Sequence, residues 1–234
     1  VGTEIEIDLV AVINKSNNAN KFAEAAKKVS SGSHLSIILS STSVENMKAA
    51  LANCAEKRPL VHGANAQNCE AMAALAKEKN CPMTVTAPTL EELADLAECA
   101  KKAGVEEIML DVSGNNPKEV LQKLTKIRRA ALKKNFRTLG FPMITFVCDD
   151  DPFQEISLAS TYLAKYAGIV AVNTCEPWGI MPLLTARTNL FTDPQKPIQV
   201  EPKLYAVGDA KEDSPVLFTT NFSLTYYTVE GEVE

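Results

Sequence analysis

Short apolar runs alternate with helix-patterned segments along almost the whole chain, and no other feature restricts its possible folds so tightly. The runs fall at 7–13 (IDLVAVI), 34–40 (HLSIILS), 60–64 (LVHGA), 82–87 (PMTVTA), 107–112 (EIMLDV), 142–148 (PMITFVC), 169–173 (IVAVN) and 216–221 (VLFTTN). They are near-continuous and rich in β-branched residues, as strands covered on both faces are. Strict βα alternation leaves two architectures, a doubly wound sheet or a closed barrel. Eight strands in 234 residues, close to the ~250 typical of a barrel, favour the second. A dinucleotide-binding sheet would place glycines directly after its first strand. Here that strand runs into NKSNNAN, which has none. The expected fold is α/β, a (β/α)8 TIM barrel.

The helix boundaries have physical causes. Phe22, Ala25, Ala26 and Val29 form one apolar stripe, and Val44, Met47, Leu51 and Cys54 a second, at the period of an amphipathic helix. Thr89 with Glu92 three residues later makes a capping box, and Gly104 is the stop of that helix. Val120, Leu121, Leu124, Ile127 and Ala131 carry the next. Asp151-Pro152 reads as an N-cap followed by a proline at the first helical position, with the end at Gly168.

After the seventh helix the pattern loosens. About 25 residues separate TARTNLF from the eighth apolar run, and they include TDPQKPIQVEP at 192–202. Its three prolines cannot donate to a sheet ladder, so the stretch reads as an extended excursion at the barrel rim. Loops this long in a compact domain are usually functional or interfacial. The expected organisation is a barrel over 1–222 with an exit linker at 223–234.

A hydrophobic share of 46% is that of an ordinary globular chain, and a net charge of −5 argues against nucleic acid as a partner. No apolar run approaches the roughly 18 residues of a membrane span. The first residues, VGTEIEIDLV, have neither an initiator Met nor a signal-peptide layout, so the chain is expected to be an internal piece of a longer cytoplasmic polypeptide. Cys54, Cys69, Cys81, Cys99, Cys148 and Cys175 form no CxxC pair. They are expected to be reduced thiols and not metal or cluster ligands.

Candidates for chemistry are few. The carboxylates of DDDP, Asp149 to Asp151, follow the sixth strand on the face where barrels place active sites; helix capping accounts for them without a bound cation. Asp111 and Asn173 end strands at the same mouth, as ligand-holding groups of a pterin-binding barrel would. His34 and His62 are the only histidines, and with no serine or cysteine partner evident both read as structural. Arg128, Arg129, Lys133, Lys134 and Arg137 form a solvated helix face or a docking patch for an acidic protein. Trp178, flanked by the helix-breaking Pro177 and Pro182, is placed to cover the mouth or face another subunit. No phosphate loop, GxSxG or HExxH occurs. A Schiff-base aldolase would want a lysine in a strand run, and these have none.

Taken together, IRRAALKKNFRTLGFPMI, YLAKYAGIVAV, ARTNLFTDPQKPIQVEPKLYAVGD and SPVLFTTNFSLTYYTVEGEVE resemble one family, as does the opening EIDLVAVINKS. It is the large subunit of the corrinoid iron–sulfur protein, the gamma subunit of the archaeal acetyl-CoA decarbonylase/synthase complex. The resemblance implies the central barrel of a methyl carrier in the Wood–Ljungdahl pathway. Such a carrier takes methyl from methyltetrahydrofolate through a methyltransferase and delivers it to carbon monoxide dehydrogenase/acetyl-CoA synthase. It also implies a small-subunit barrel as heterodimer partner, and 192–202 would position a neighbouring subunit or domain. The family's corrinoid (cobalt) and 4Fe-4S cofactors are expected outside this chain, the corrinoid-binding domain beyond residue 234, and no catalytic, cofactor or metal residue maps onto a position here. The barrel itself is then not catalytic. The alternative is a stand-alone pterin-binding methyltransferase barrel, with Asp111 and Asn173 holding the pterin.

Overall fold

The computed structural model describes residues 7–147, 149–190 and 199–233. The chain divides into two compact units, Val1–Leu184 and Thr185–Glu234. In the first, β1 (Leu9–Ile13), β2 (Ser36–Ser40), β3 (Leu60–Ala64), β4 (Met83–Thr86), β5 (Ile108–Asp111), β6 (Met143–Val147) and β7 (Ile169–Val172) form one sheet in sequence order. Every pairing is parallel. Between them run α1 (Ala19–Gly32), α2 (Val44–Leu51), α3 (Cys69–Glu78), α4 (Leu90–Lys102), α5 (Pro117–Lys133) and α6 (Pro152–Ala164), followed by α7 (Pro177–Leu190).

The sheet curls into a nearly closed barrel. Leu60 on β3 and Ile144 on β6 share one interior cluster with Ile38 of β2. Three strand spacings of about 4.8 Å would hold β3 and β6 roughly 14 Å apart in a flat sheet. The alternate residues of each strand face outward into a larger core built on the alanine-rich helices, with Ala26, Ala50, Ala73, Ala76, Ala97 and Ala100 all buried. Small residues there let helices lie close against the strands.

The sequence-derived boundaries hold at Thr89, Gly104 and Asp151, but the helix that starts at Pro152 stops at Ala164, with Tyr166 at φ +80, and not at Gly168. The Thr89 hydroxyl accepts the Glu92 N–H at 3.2 Å. At the other end Gly104 has φ +91 and donates to Lys101 O, while Val105 donates to Ala100 O, the paired bonds of a Schellman stop. Pro177 and Pro182 do not break the seventh helix: Pro177 begins it, where no N–H is required. Pro182 lies inside it, unable to donate to the Trp178 carbonyl.

The eighth strand is not formed as expected. Residues 216–220 are irregular, and among the described residues the segment makes one antiparallel bridge, Gln199 to Phe222, with Val200 N–H on Asn221 O at 2.8 Å. A nearby partner in sequence costs less loop-closure entropy than a return to a distant strand, and a six-residue apolar run does not itself specify a partner. Residues 223–233, within the expected exit linker, form helix α8 (Ser223–Val233). Beside it Tyr205 stacks on Tyr226 at 4.7 Å, and the Tyr226 hydroxyl donates to Glu230 at 2.7 Å. Of the 192–202 excursion, residues 192–198 lie outside the described residues, as does Cys148.

Candidate functional site at the barrel mouth

Along each strand every second residue faces the barrel interior. Ile38, Leu60 and Met109 are interior residues, so Ser40, His62 and Asp111, each two positions on, face the interior one layer nearer the mouth. Ser40 and His62 are register partners on adjacent strands. His62 Nδ1 lies 2.8 Å from Ser40 Oγ, and its Nε2 lies 2.9 Å from Asp111 Oδ2. A carboxylate only accepts, so Nε2–H donates to Asp111; in the neutral ring Nδ1 then accepts the Ser40 hydroxyl. Asp111 Oδ1 accepts both the backbone N–H of Ser113, at 2.8 Å, and its hydroxyl. Ser113 Oγ accepts Phe146 N–H at 2.8 Å, and the Phe146 ring stacks on His62 at 4.7 Å. One polar chain thus ties β2, β3, β5 and β6 together.

Burial pushes the Asp111 carboxyl up, but the hydrogen bond and charge of His62, with the Ser113 donors, outweigh it and hold Asp111 below its ordinary value. The His62 and Asp111 side chains are only 13% and 8% exposed. Gly63 sets the local backbone. Its φ is +115 at a register shift between β3 and β4, and a Cβ there would run into the Ser41 carbonyl.

The expectation that His62 has no serine partner is therefore overturned: Ser40 is brought to it from the next strand, 22 positions away. The group types are those of a hydrolytic triad, but here the serine is on Nδ1 and the carboxylate on Nε2, the reverse of the hydrolase arrangement. Phe146 covers a ring face, and every polar atom of His62 and Asp111 is engaged. The arrangement makes a rigid polar plug.

The other candidates disperse. Asp111 and Asn173 do not meet: Asn173 is exposed, and its backbone N–H is bound by Glu155 Oε1 at 2.7 Å. The buried carboxylate of Glu155, which sequence reasoning missed, also takes the N–H and hydroxyl of Thr174 and so clamps the turn after β7. Asp149 and Asp151 cap, accepting from Asp151 N and Phe153 N at 3.0 and 2.9 Å. His34 is exposed ahead of β2. Trp178 stacks on Phe153 at 4.7 Å on the rim, both rings largely exposed. Arg128 sits over the Tyr166 ring at 5.8 Å.

Among the described residues no group of three or more His, Cys, Asp or Glu is placed to hold a metal. Burial pushes the thiols of Cys54 and Cys69 up to about 11 and about 12 and raises Cys81 as well. Thiols so raised stay protonated at neutral pH and are poor ligands. The described donor set does not fit a four-cysteine cluster.

A family model described as the CO dehydrogenase/acetyl-CoA synthase delta subunit matches residues 1–234. The corrinoid/iron-sulfur protein large subunit of Moorella thermoacetica is 41% identical over 234 residues, covering 100% of this chain and 52% of that protein. The acetyl-CoA decarbonylase/synthase complex subunit gamma of Methanothermobacter thermautotrophicus is 37% identical over 246 residues, covering 100% and 54%. The chain spans about half the length of the curated relatives it matches. Among solved structures, the 7,8-dihydropteroate synthase of Vibrio fischeri matches with a TM-score of 0.61 at 13% identity, over 80% of this chain and 84% of that one. The dihydropteroate synthase of Thermus thermophilus gives 0.58 at 16% identity, over 78% and 81%. That likeness is one of fold alone.

Proposed function

The chain belongs to the CO dehydrogenase/acetyl-CoA synthase delta subunit family, and from that premise we propose that it is the barrel scaffold of the large subunit of a corrinoid iron–sulfur protein. The parent protein would carry methyl groups from methyltetrahydrofolate, by way of a methyltransferase, to carbon monoxide dehydrogenase/acetyl-CoA synthase in the cytoplasmic Wood–Ljungdahl pathway. The 41% identity over the whole chain to the corrinoid/iron-sulfur protein large subunit of Moorella thermoacetica carries this reading. The mouth supports it. Where a barrel enzyme keeps reactive groups open to substrate, His62 and Asp111 are spent on each other, on Ser40 and on Ser113. The barrel's work is then to hold a small-subunit partner and to anchor neighbouring domains. In this reading the corrinoid and the 4Fe-4S cluster belong to parts of the parent beyond this chain. No step of the methyl transfer is assigned to residues described here.

The test is cobalt and iron analysis with a UV–visible spectrum, run on the full-length parent and on this chain. Both metals in the parent and neither in the chain is the expected result. A parent without cobalt would overturn the reading.

A further inference from the structure

We propose that the groove between α4 and α5 docks an amphipathic helical segment of a partner protein, acidic along the edge that meets α5. The groove has a volume of about 670 Å3, with Leu90, Ala94, Ala130, Phe136 and Leu139 among its lining residues. Its α5 wall carries Lys126, Arg129 and Lys133, with Lys134 just beyond. Positions i, i+3 and i+7 fall on one helical stripe, here about 10 Å long at 1.5 Å per residue. Among the described residues none of these four cations has an ion-pair partner.

A merely solvated face would need no apolar floor beneath its charges. Here an apolar floor is present where α5 ends. Asn135 adopts φ +51, and Phe136 N–H returns to the Ala130 carbonyl at 3.1 Å, which sets an aromatic ring 46% exposed beside the basic stripe. Asparagine at this φ is an ordinary helix stop, and Asn80 ends α3 in the same way. Ala130, small and mid-stripe, leaves the hollow that a partner's leucine or phenylalanine would fill. Glu91 and Asp95 line the groove from α4. Cations on one wall and carboxylates on the other orient an occupant with an acidic edge toward α5 and a neutral or basic edge toward α4. They also disfavour a polyanion such as nucleic acid or an anionic bilayer, as does the net charge of −5. This surface is independent of the methyl-carrier reading and stands or falls separately from it.

The probe is a fluorescein-labelled synthetic helix with leucines at heptad spacing and glutamates beside them, against a scrambled peptide of the same composition. Each is titrated into the intact protein at low and high salt and followed by anisotropy. The ordered peptide should bind more tightly than the scrambled one and weaken with salt. Lys126→Glu with Arg129→Glu and Lys133→Glu should cost about tenfold or more in affinity. Reversal of Lys21, Lys27 and Lys28 on α1 should change nothing. Phe136→Ala should weaken binding without altering its salt dependence. Equal affinity for the scrambled peptide, or indifference to the α5 reversal, overturns the proposal. So does a concentration-dependent dimer that the reversal abolishes, which assigns the groove to a second copy. Binding to phosphatidylserine vesicles in place of the peptide assigns it to a membrane and overturns the proposal as well.

Discussion

At the scale of single residues, the mouth network links charge to stability. Asp111 is held below its ordinary value, so its contribution is present above the unfolded carboxyl value of about 3.9 and is lost as pH falls through the folded one. Asp111→Asn should therefore lower stability at neutral pH, and the gap to the parent should close as pH drops below about 4; urea melts across that range give the answer. A gap that stays constant would mean that Asp111 contributes through shape and not through charge. His62→Ala leaves a buried carboxylate short of a donor and should cost roughly 2–4 kcal/mol. Gly63→Ala meets both a left-handed φ and the Ser41 carbonyl, and should destabilise without touching a polar group. The signal for this network was present in the chain as strand parity: Ser40, His62 and Asp111 each follow an inward apolar residue by two. What was missing was the closure that brings the side chains of β3 within reach of those of β5 and β6 across the interior.

At the scale of elements, caps decide boundaries and pairing decides protection. Thr89→Ala removes the acceptor for Glu92 N–H and should lower stability by about 1 kcal/mol, read as a shift in melting temperature. β2 to β6 are paired on both sides, whereas among the described residues β1 and β7 are paired on one. Both are only partly buried along their lengths. Amide exchange should therefore be slowest in β3, β4 and β5 and faster in β1 and β7. Equal protection in all seven would show that the two edges are covered in solution. The helix starts at Thr89 and Asp151 and the stop at Gly104 were legible because capping is local chemistry. The eighth strand was not, because extended apolar chain takes its identity from whichever partner it finds.

At the scale of the whole molecule, a plugged mouth has a consequence for ligands. A molecule that binds the folded chain stabilises it by mass action, by about 2.7 kcal/mol at a hundredfold excess over its dissociation constant, and so raises its melting point. Methyltetrahydrofolate should leave the melting temperature of this chain unchanged. A rise that Asp111→Asn abolishes would return the site to pterin binding. By itself the sequence determined the alternation of strand and helix, and with it a parallel α/β barrel, since apolar runs covered on both faces need helices on the outside. It also determined the capped helix ends and the family of the chain. Only the tertiary structure decided that Ser40, His62 and Asp111 meet, that Glu155 clamps the turn after β7, and that an apolar hollow lies beneath the basic stripe of α5. Each of these depends on side chains brought together from distant elements, and the curvature of a sheet and the spacing of its helices are set by the packing of the whole core.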